Sequence, residues 1–157
     1  MRSGVRIGID VGRARVGVSR CDAKGILATP VETVPRSDGP DLERIAMIAR
    51  ELEAIELIVG VPLSLSGAET ASTTDARDFA AALARRTALP TRLVDERLST
   101  VSAGRALREA GRSTRSARPV IDQAAAVIIL QHALDSERSS GTEPGTLIAP
   151  SQGPTSQ

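Results

Sequence analysis

The sequence has one cysteine, Cys21, no tryptophan or tyrosine, one phenylalanine, Phe79, one lysine, Lys24, and one histidine, His132. Each scarcity excludes something. A lone cysteine forms neither an intramolecular disulfide framework nor a cysteine-based zinc cluster. Cys21 reads as a small strand residue, with an intermolecular disulfide as its alternative. A chain with a single aromatic side chain has no platform on which bases stack, so nucleic acid has to be gripped by its backbone. No run approaches the roughly 18 apolar residues of a membrane span, and the opening MRSGVRIGID has no signal-peptide pattern. The expectation is a cytoplasmic protein with no membrane partner. His132 falls ten residues after Asp122 in helical register, roughly on the opposite face, and reads as structural or exposed.

What is present defines one soluble domain. A chain of 157 residues, 41% hydrophobic and 25% charged, is long enough for a sizeable core. Its net charge of +1 excludes a globally basic protein, yet 19 of the 20 basic residues are arginine. That bias is first an effect of genome composition, although arginine also suits bidentate phosphate contact. Position says more than the sum. Arg92, Arg97, Arg105, Arg108, Arg112, Arg115 and Arg118 face only Asp95, Glu96 and Glu109 between residues 92 and 118, a locally basic segment able to meet a polyanion.

Residues 5 to 34 alternate β-branched runs with short turns, VRIGIDV, GRAR, VGVSRC, DAKG and ILATPVETV, which predicts a three-stranded antiparallel meander. From Asp38 the period becomes helical, with Leu42, Ile45, Ile48, Ala49 and Leu52 on one stripe and Asp38 or Asp41 as N-cap. The continuous apolar run ELIVGV, ended by Pro62, suits a strand buried on both faces. The loop PLSLSGAET leads to a helix over 69–87 with Ala76, Phe79, Ala80 and Leu83 inward, then a strand over 89–94. A helix capped by Ser99 or Thr100 runs to Gly111, GRSTRSARP links it onward, and a last helix spans Val120 to about Arg138. Residues 1–138 form the domain, and 139–157, poor in apolar periodicity, form a disordered tail. This order predicts an α/β protein: a mixed sheet of five strands, the first three antiparallel and the rest parallel, with helices on both faces.

Three acids interrupt the pattern. Asp10 sits inside a strand run between Ile9 and Val11, where strand chemistry disfavours an acid. Glu96 follows the last strand, where it also reads as a solvated loop charge, and Asp122 opens the last helix, where a negative charge is favourable in its own right. If the first and last strands are neighbours at the centre of the sheet, Asp10 and Glu96 meet at one edge and the packed helix brings Asp122 to them. Carboxylates so placed repel each other unless a cation lies between them. Oxygen donors select a hard ion, Mg²⁺ or Mn²⁺, and a pair of such ions serves phosphodiester hydrolysis. Beside Asp10, the turn with Gly12, Arg13 and Arg15 offers amides and guanidinium groups to a phosphate, although a simple hairpin explains Gly12 as well.

The blocks IGIDVGRARVGVS, IVGVPLSLSG, LVDERLSTVSA and IDQAAAVIIL, in this order and spacing, resemble the YqgF/RuvX family of pre-16S rRNA nucleases, also described as Holliday junction resolvases. The resemblance covers roughly residues 4 to 135. It implies an RNase H-like fold and a catalytic metal site of Asp10, Glu96 and Asp122, holding Mg²⁺ or Mn²⁺, two ions. It also implies a nucleic-acid substrate, structured RNA or branched DNA; from their own positions and chemistry, Arg13, Arg15, Ser64, Arg97, Arg115 and Arg118 read as the residues that meet its phosphates. The chain departs from the family at the loop Pro62, Leu63, Ser64, Leu65, Ser66, Gly67, where an asparagine and a further amide or acid are usual. It also carries Arg115 and Arg118 where lysines are common, which keeps the charge.

The implied activity is a metal-dependent endonuclease that processes the 5′ end of pre-16S rRNA in ribosome biogenesis. One alternative is Holliday junction resolution, which needs two sites facing one junction and hence a homodimer; trimming an rRNA precursor needs only a monomer. An alternative of another class is a binding module without catalysis, which loss of any of the three acids would have favoured. A phosphotransferase, suggested by Asp-x-Gly-x-x-x-x-Gly at residues 10 to 17, needs two domains around its nucleotide, and 157 residues are too few.

Overall fold

A computed structural model describes residues 1–98 and 118–148, with side chains described outside 98 and 118–122. Among these residues the strands are β1 (Arg6–Val11), β2 (Arg15–Cys21), β3 (Ala28–Pro35), β4 (Glu56–Val61), β5 (Thr91–Asp95) and β6 (Thr146–Ile148). The α-helices are α1 (Pro40–Glu51), α2 (Ala71–Thr87) and α3 (Arg118–Ser140), and Glu96–Leu98 form one 3₁₀ turn. The six strands make one sheet in the order β3-β2-β1-β4-β5-β6. β1, β2 and β3 pair antiparallel as expected, while β4 pairs parallel with β1 and with β5.

The expectation of five strands is corrected by β6, which pairs antiparallel with β5 through Thr91↔Ile148 to Leu93↔Thr146. Its three residues lie within the stretch read as a tail, and backbone pairing with an edge strand supplies what their weak apolar pattern did not. The last helix likewise runs past Arg138 to Ser140 and starts at Arg118. A second correction concerns neighbours: β1 adjoins β4, not the strand that carries Glu96 at its end, and β4 separates β1 from β5. The helix expected from 99 or 100 to 111 lies outside the described residues.

Both faces of the sheet are covered. Ile7, Ile9 and Val11 of β1, Val16 and Val18 of β2 and Leu57 and Val59 of β4 pack with Ile45, Ile48, Phe79 and Leu83 of α1 and α2. On the opposite face Cys21 and Ile58 pack with Ala125, Ile129, Leu130, Ala133 and Leu134 of α3. Every residue of β1 and of β4 is buried, as expected of central strands sandwiched between helices. Gly8 marks where α3 crosses β1: a Cβ there would stand 2.7 Å from Leu130 Cβ and 2.9 Å from the Ala126 carbonyl. Ser19 Oγ donates to that same carbonyl at 2.8 Å.

The helix ends follow their local chemistry. Pro40 occupies the first turn of α1, where its missing N–H costs nothing. The α1 cap residue is Gly39, not Asp38 or Asp41. Asp41 is buried and instead accepts from the backbone N–H groups of Ser37 and Leu42 at 2.9 and 2.8 Å. Thr70 and Thr73 form a capping box on α2, and Thr73 Oγ1 also donates to the Pro62 carbonyl, tying the helix to the loop after β4.

Away from that loop, the start of β1 and β4 holds a charged network. Arg2 bonds Glu56 at 3.0 Å and Glu137 at 2.8 Å, Arg92 bonds Glu56 at 2.6 Å, and Arg6 lies 3.4 Å from Glu137. Hydrogen bonds from Arg2 hold the Glu137 carboxyl down at about 2, against an opposing effect of burial. Arg92 also reaches Glu143, so its charge is spent inside the fold.

Candidate active site

Asp10 is fully buried and sits one residue from the end of β1. Since side chains alternate along a strand, Asp10 shares its face with Gly8 and therefore lies on the side of the sheet that α3 covers. Across the sheet it pairs with Gly17, which pairs in turn with Thr33. On the other side the β1–β4 register runs through Ile9↔Val59, which sets Asp10 beside Gly60.

Glu96 follows β5 directly and is 3% exposed. Its carboxylate reaches back over β4: a Cβ on Gly60 would stand 2.9 Å from Glu96 Oε2 and 3.1 Å from its Cγ, with Ile129 Cδ1 at 2.5 Å. Any side chain at residue 60 would fill that space. Asp10 and Gly60, the residue that Glu96 overlies, thus stand side by side in the sheet although β1 and β5 are not neighbours. Sequence reasoning missed Gly60, because a glycine inside the apolar run ELIVGV carries no signal until its neighbours are known.

Asp122 lies in the first turns of α3, in the part whose side chains are outside the described ones. The adjoining Gln123 is described: its Nε2 donates to Thr33 Oγ1 at 2.9 Å. Thr33 stands in the same cross-strand row as Asp10, so α3 enters over the row that holds the first acid. Among the described residues no three His, Cys, Asp or Glu side chains form a metal-binding group. His132 is exposed.

The remaining predicted positions surround the site unequally. Arg13 is exposed and Arg15 half-buried at the turn after β1. Arg97 is exposed and bonds Asp95, Nη2 to Oδ2 at 2.7 Å, which holds the Asp95 carboxyl below its usual range. Its Nη1 lies 3.2 Å from where a Cβ on Gly67 would be, so Arg97 leans on the loop after β4. Within that loop Ser64 Oγ accepts from the Ala68 N–H at 3.0 Å and shares a hydrogen bond with Ser66 Oγ at 2.9 Å. Ser64 therefore shapes its own loop. Arg115 lies outside the described residues, and Arg118 begins α3 with its side chain outside the description. Arg92, part of the basic segment, faces Glu56 and Glu143 and is not a surface charge for a polyanion.

Cys21 is buried in β2, where its Sγ accepts from the Arg6 N–H at 3.2 Å. Among the described residues no helix is long and apolar enough to cross a membrane.

The fold is RNase H-like: the chain superposes on "T. thermophilus RuvC in complex with Holliday junction substrate" with a TM-score of 0.56, at 17% identity, covering 92% of this chain and 99% of that one. A second RuvC structure from Thermus thermophilus matches with a TM-score of 0.52 at 18% identity, over 87% of this chain and 97% of that chain. Relatives by sequence are far nearer. A protein of Leifsonia xyli subsp. xyli named "Putative pre-16S rRNA nuclease" is 60% identical over 98% of this chain and 100% of its own length. One of the same name from Clavibacter michiganensis subsp. michiganensis is 58% identical over 94% of this chain and 93% of its own. The family model described as "RuvX: Holliday junction resolvase" matches residues 4–136, and with these relatives it establishes that the chain belongs to the RuvX family.

Proposed function

We propose that this chain is a metal-dependent endonuclease that hydrolyses phosphodiester bonds in structured nucleic acid, acting in the cytoplasm on the 5′ end of pre-16S rRNA. The observation that carries the reading is that two buried acids are set about Gly60: Asp10 lies beside it in the sheet register and the Glu96 carboxylate lies over it. Near relatives named for pre-16S rRNA nuclease activity support the substrate class.

The donor set fits a hard divalent cation. Both acids present only oxygen, both are buried, and a glycine leaves the space above β4 to the Glu96 carboxylate. Asp122 is the proposed third ligand, and helix geometry supports it. Gly8 faces Ala126, and Arg6 reaches Glu137, so α3 runs antiparallel to β1. Moving from Gly8 to Asp10 advances about 6.6 Å along the strand, which corresponds to about four residues of helix. Counting back from Ala126 toward the start of α3 reaches Asp122, on the same helical face. Asp10, Glu96 and Asp122 would hold Mg²⁺ or Mn²⁺, as a pair of ions. Bound there, such ions supply an activated water and stabilisation of the leaving oxygen.

The chain's own residues orient the substrate. Arg13 and Arg15 belong to the turn that follows the strand of Asp10, and Arg97 follows Glu96 directly, so an arginine adjoins each of these two acids along the chain. Arginine forks hold phosphate oxygens in fixed geometry, which aligns a backbone over the carboxylates without reading its bases. Arg115 and Arg118 would add charge from the segment that leads into α3.

The test is incubation of the purified protein with a labelled 16S precursor fragment and a labelled four-way junction, with Mg²⁺ or Mn²⁺, beside Asp10→Asn. Cleavage of the precursor by the wild type alone is expected. Preferential cutting of the junction would transfer the function to Holliday junction resolution, and binding without cutting of either would reduce the chain to a nucleic-acid-binding module.

A further inference from the structure

The turn between β1 and β2 is short, and one hydrogen bond closes it internally, from the Gly12 N–H to the Arg15 carbonyl at 2.9 Å. Two more come from outside it, and both come from Arg36. The Arg36 backbone N–H donates to the Ala14 carbonyl at 2.9 Å, and its Nη1 donates to the Gly12 carbonyl at 2.8 Å. Arg36 therefore grasps the turn at two carbonyls, those of Gly12 and Ala14, on either side of Arg13.

The guanidinium is itself tightly directed. Asp75 of α2 takes Nη1 and Nη2 in a bidentate pair, 2.9 Å each, the Phe79 ring lies 5.0 Å beneath its carbon, and Asp41 of α1 stands 3.8 Å from its Nε. A planar fork held on these three groups has few rotamers left. Hydrogen bonds from Arg36 lower the Asp75 carboxyl from its ordinary value, and the charge of Arg13 lowers it further, so Asp75 feels the turn as well as the clasp. Since the 12–13 peptide is trans, fixing the Gly12 carbonyl toward Arg36 turns the Arg13 N–H to the other side.

We infer that Arg36 is a positioning residue for substrate: clamped by Asp75, it holds the Gly12–Arg15 turn so that Arg13 and Arg15 are presented together to a nucleic-acid phosphate. The inference rests on the proposed function, in that it takes the turn to be a phosphate contact. Arg36 touches no substrate itself. Its work is to remove from the turn the freedom that binding would otherwise have to freeze. Nothing in the sequence marked Arg36, which follows Pro35 in a stretch that reads as a loop.

A double-mutant cycle tests it. Affinity for a fluorescein-labelled 16S precursor fragment is measured without divalent ions, so that nothing is cut, for wild type, Arg36→Gln, Arg13→Ala/Arg15→Ala, and the triple variant. Arg36→Gln is expected to weaken binding about five- to tenfold in the wild-type background and not at all in the background lacking Arg13 and Arg15. Arg36→Lys, which keeps the charge but loses the fork, is expected not to restore affinity. Asp75→Asn leaves the arginine in place but loosens its clamp, and a two- to threefold weakening, about 0.4 to 0.7 kcal/mol, is expected even if Arg36→Gln does not fold. Equal weakening by Arg36→Gln in both backgrounds, or full rescue by lysine, would overturn the inference alone, because Arg36 would then act as a charge and not through the turn. Unchanged affinity in the Arg13→Ala/Arg15→Ala protein would overturn the reading of the turn as a phosphate contact, and the inference with it.

Discussion

The Glu96 carboxylate occupies the space that a side chain on Gly60 would need: a Cβ there would lie 2.9 Å from Oε2. Gly60→Ala is therefore expected to act on the site more than on the fold. Overpacking against Ile129 and Glu96 costs about 1 to 3 kcal/mol, while displacement of the carboxylate should lower cleavage by about a hundredfold or more. Single-turnover cleavage and a urea titration on the same variant separate the two effects. Loss of stability with undiminished cleavage would place Glu96 outside the chemistry.

Asp10→Asn removes a buried acid from the strand beside Gly60, over which the Glu96 carboxylate lies. Cleavage should be abolished, and the unfolding midpoint without metal should stay the same or rise, because repulsion is relieved. Any thermal stabilisation by Mn²⁺ seen in the wild type should disappear in the variant. A drop of several kcal/mol in metal-free stability would show that Asp10 is a structural hydrogen-bonding acid.

The network at the opposite end of β1 makes stability depend on acid. Glu137 is held at about 2 by hydrogen bonds from Arg2. A carboxyl lowered on folding stabilises the native state above its unfolded value, near 4.5, and that contribution is lost as pH falls toward 2. Urea unfolding at pH 6 and pH 3 should differ by about 2 kcal/mol more in the wild type than in Glu137→Gln. The variant should also be less stable at neutral pH, since it leaves the Arg2 and Arg6 charges short of a partner.

The arginines should separate by salt. Arg13→Ala, Arg15→Ala and Arg97→Ala should each flatten the dependence of log affinity on log salt, by about 0.7 per contact on single-stranded substrate and 0.9 on duplex DNA. Arg92→Ala should leave that slope unchanged and lower the unfolding midpoint instead, because Arg92 is paired with Glu56 and Glu143. A flat salt response in the wild type would assign the arginine content to genome composition.

Removing the cap of α2 tests how the loop after β4 is held. Thr70→Ala should cost about 1 kcal/mol, and Thr73→Val should cost more, since Thr73 also donates to the Pro62 carbonyl. Thermal melts of the two variants check the order. If the loop supports Arg97 over Gly67, Thr73→Val should weaken nucleic-acid binding as well.

Much of this was legible along the chain because it depends on local pattern. The alternating runs before residue 35 specify a meander, ELIVGV a buried strand, and the stripe Ala76, Phe79, Ala80 and Leu83 the inward face of α2. Asp10 was conspicuous for the same reason, an acid amid β-branched neighbours. The α1 cap was misjudged because two aspartates compete with Gly39 there, and burial drew Asp41 into bonds with Ser37 and Leu42 instead. β6 was missed because a three-residue edge strand owes its existence to β5 and has no periodicity of its own.

By itself, then, the sequence determined the kinds and order of the elements, the family and the acids that stand out against their surroundings, since each follows from side-chain period and chemistry within a few residues. Only the tertiary structure decided which strands are neighbours, that the Glu96 carboxylate lies over Gly60, beside Asp10 in the sheet, that Arg92 is an internal ion pair, and that Arg36 grasps the turn after β1. Most of those relationships join residues far apart along the chain, and no local pattern encodes a contact that exists only once the sheet is assembled.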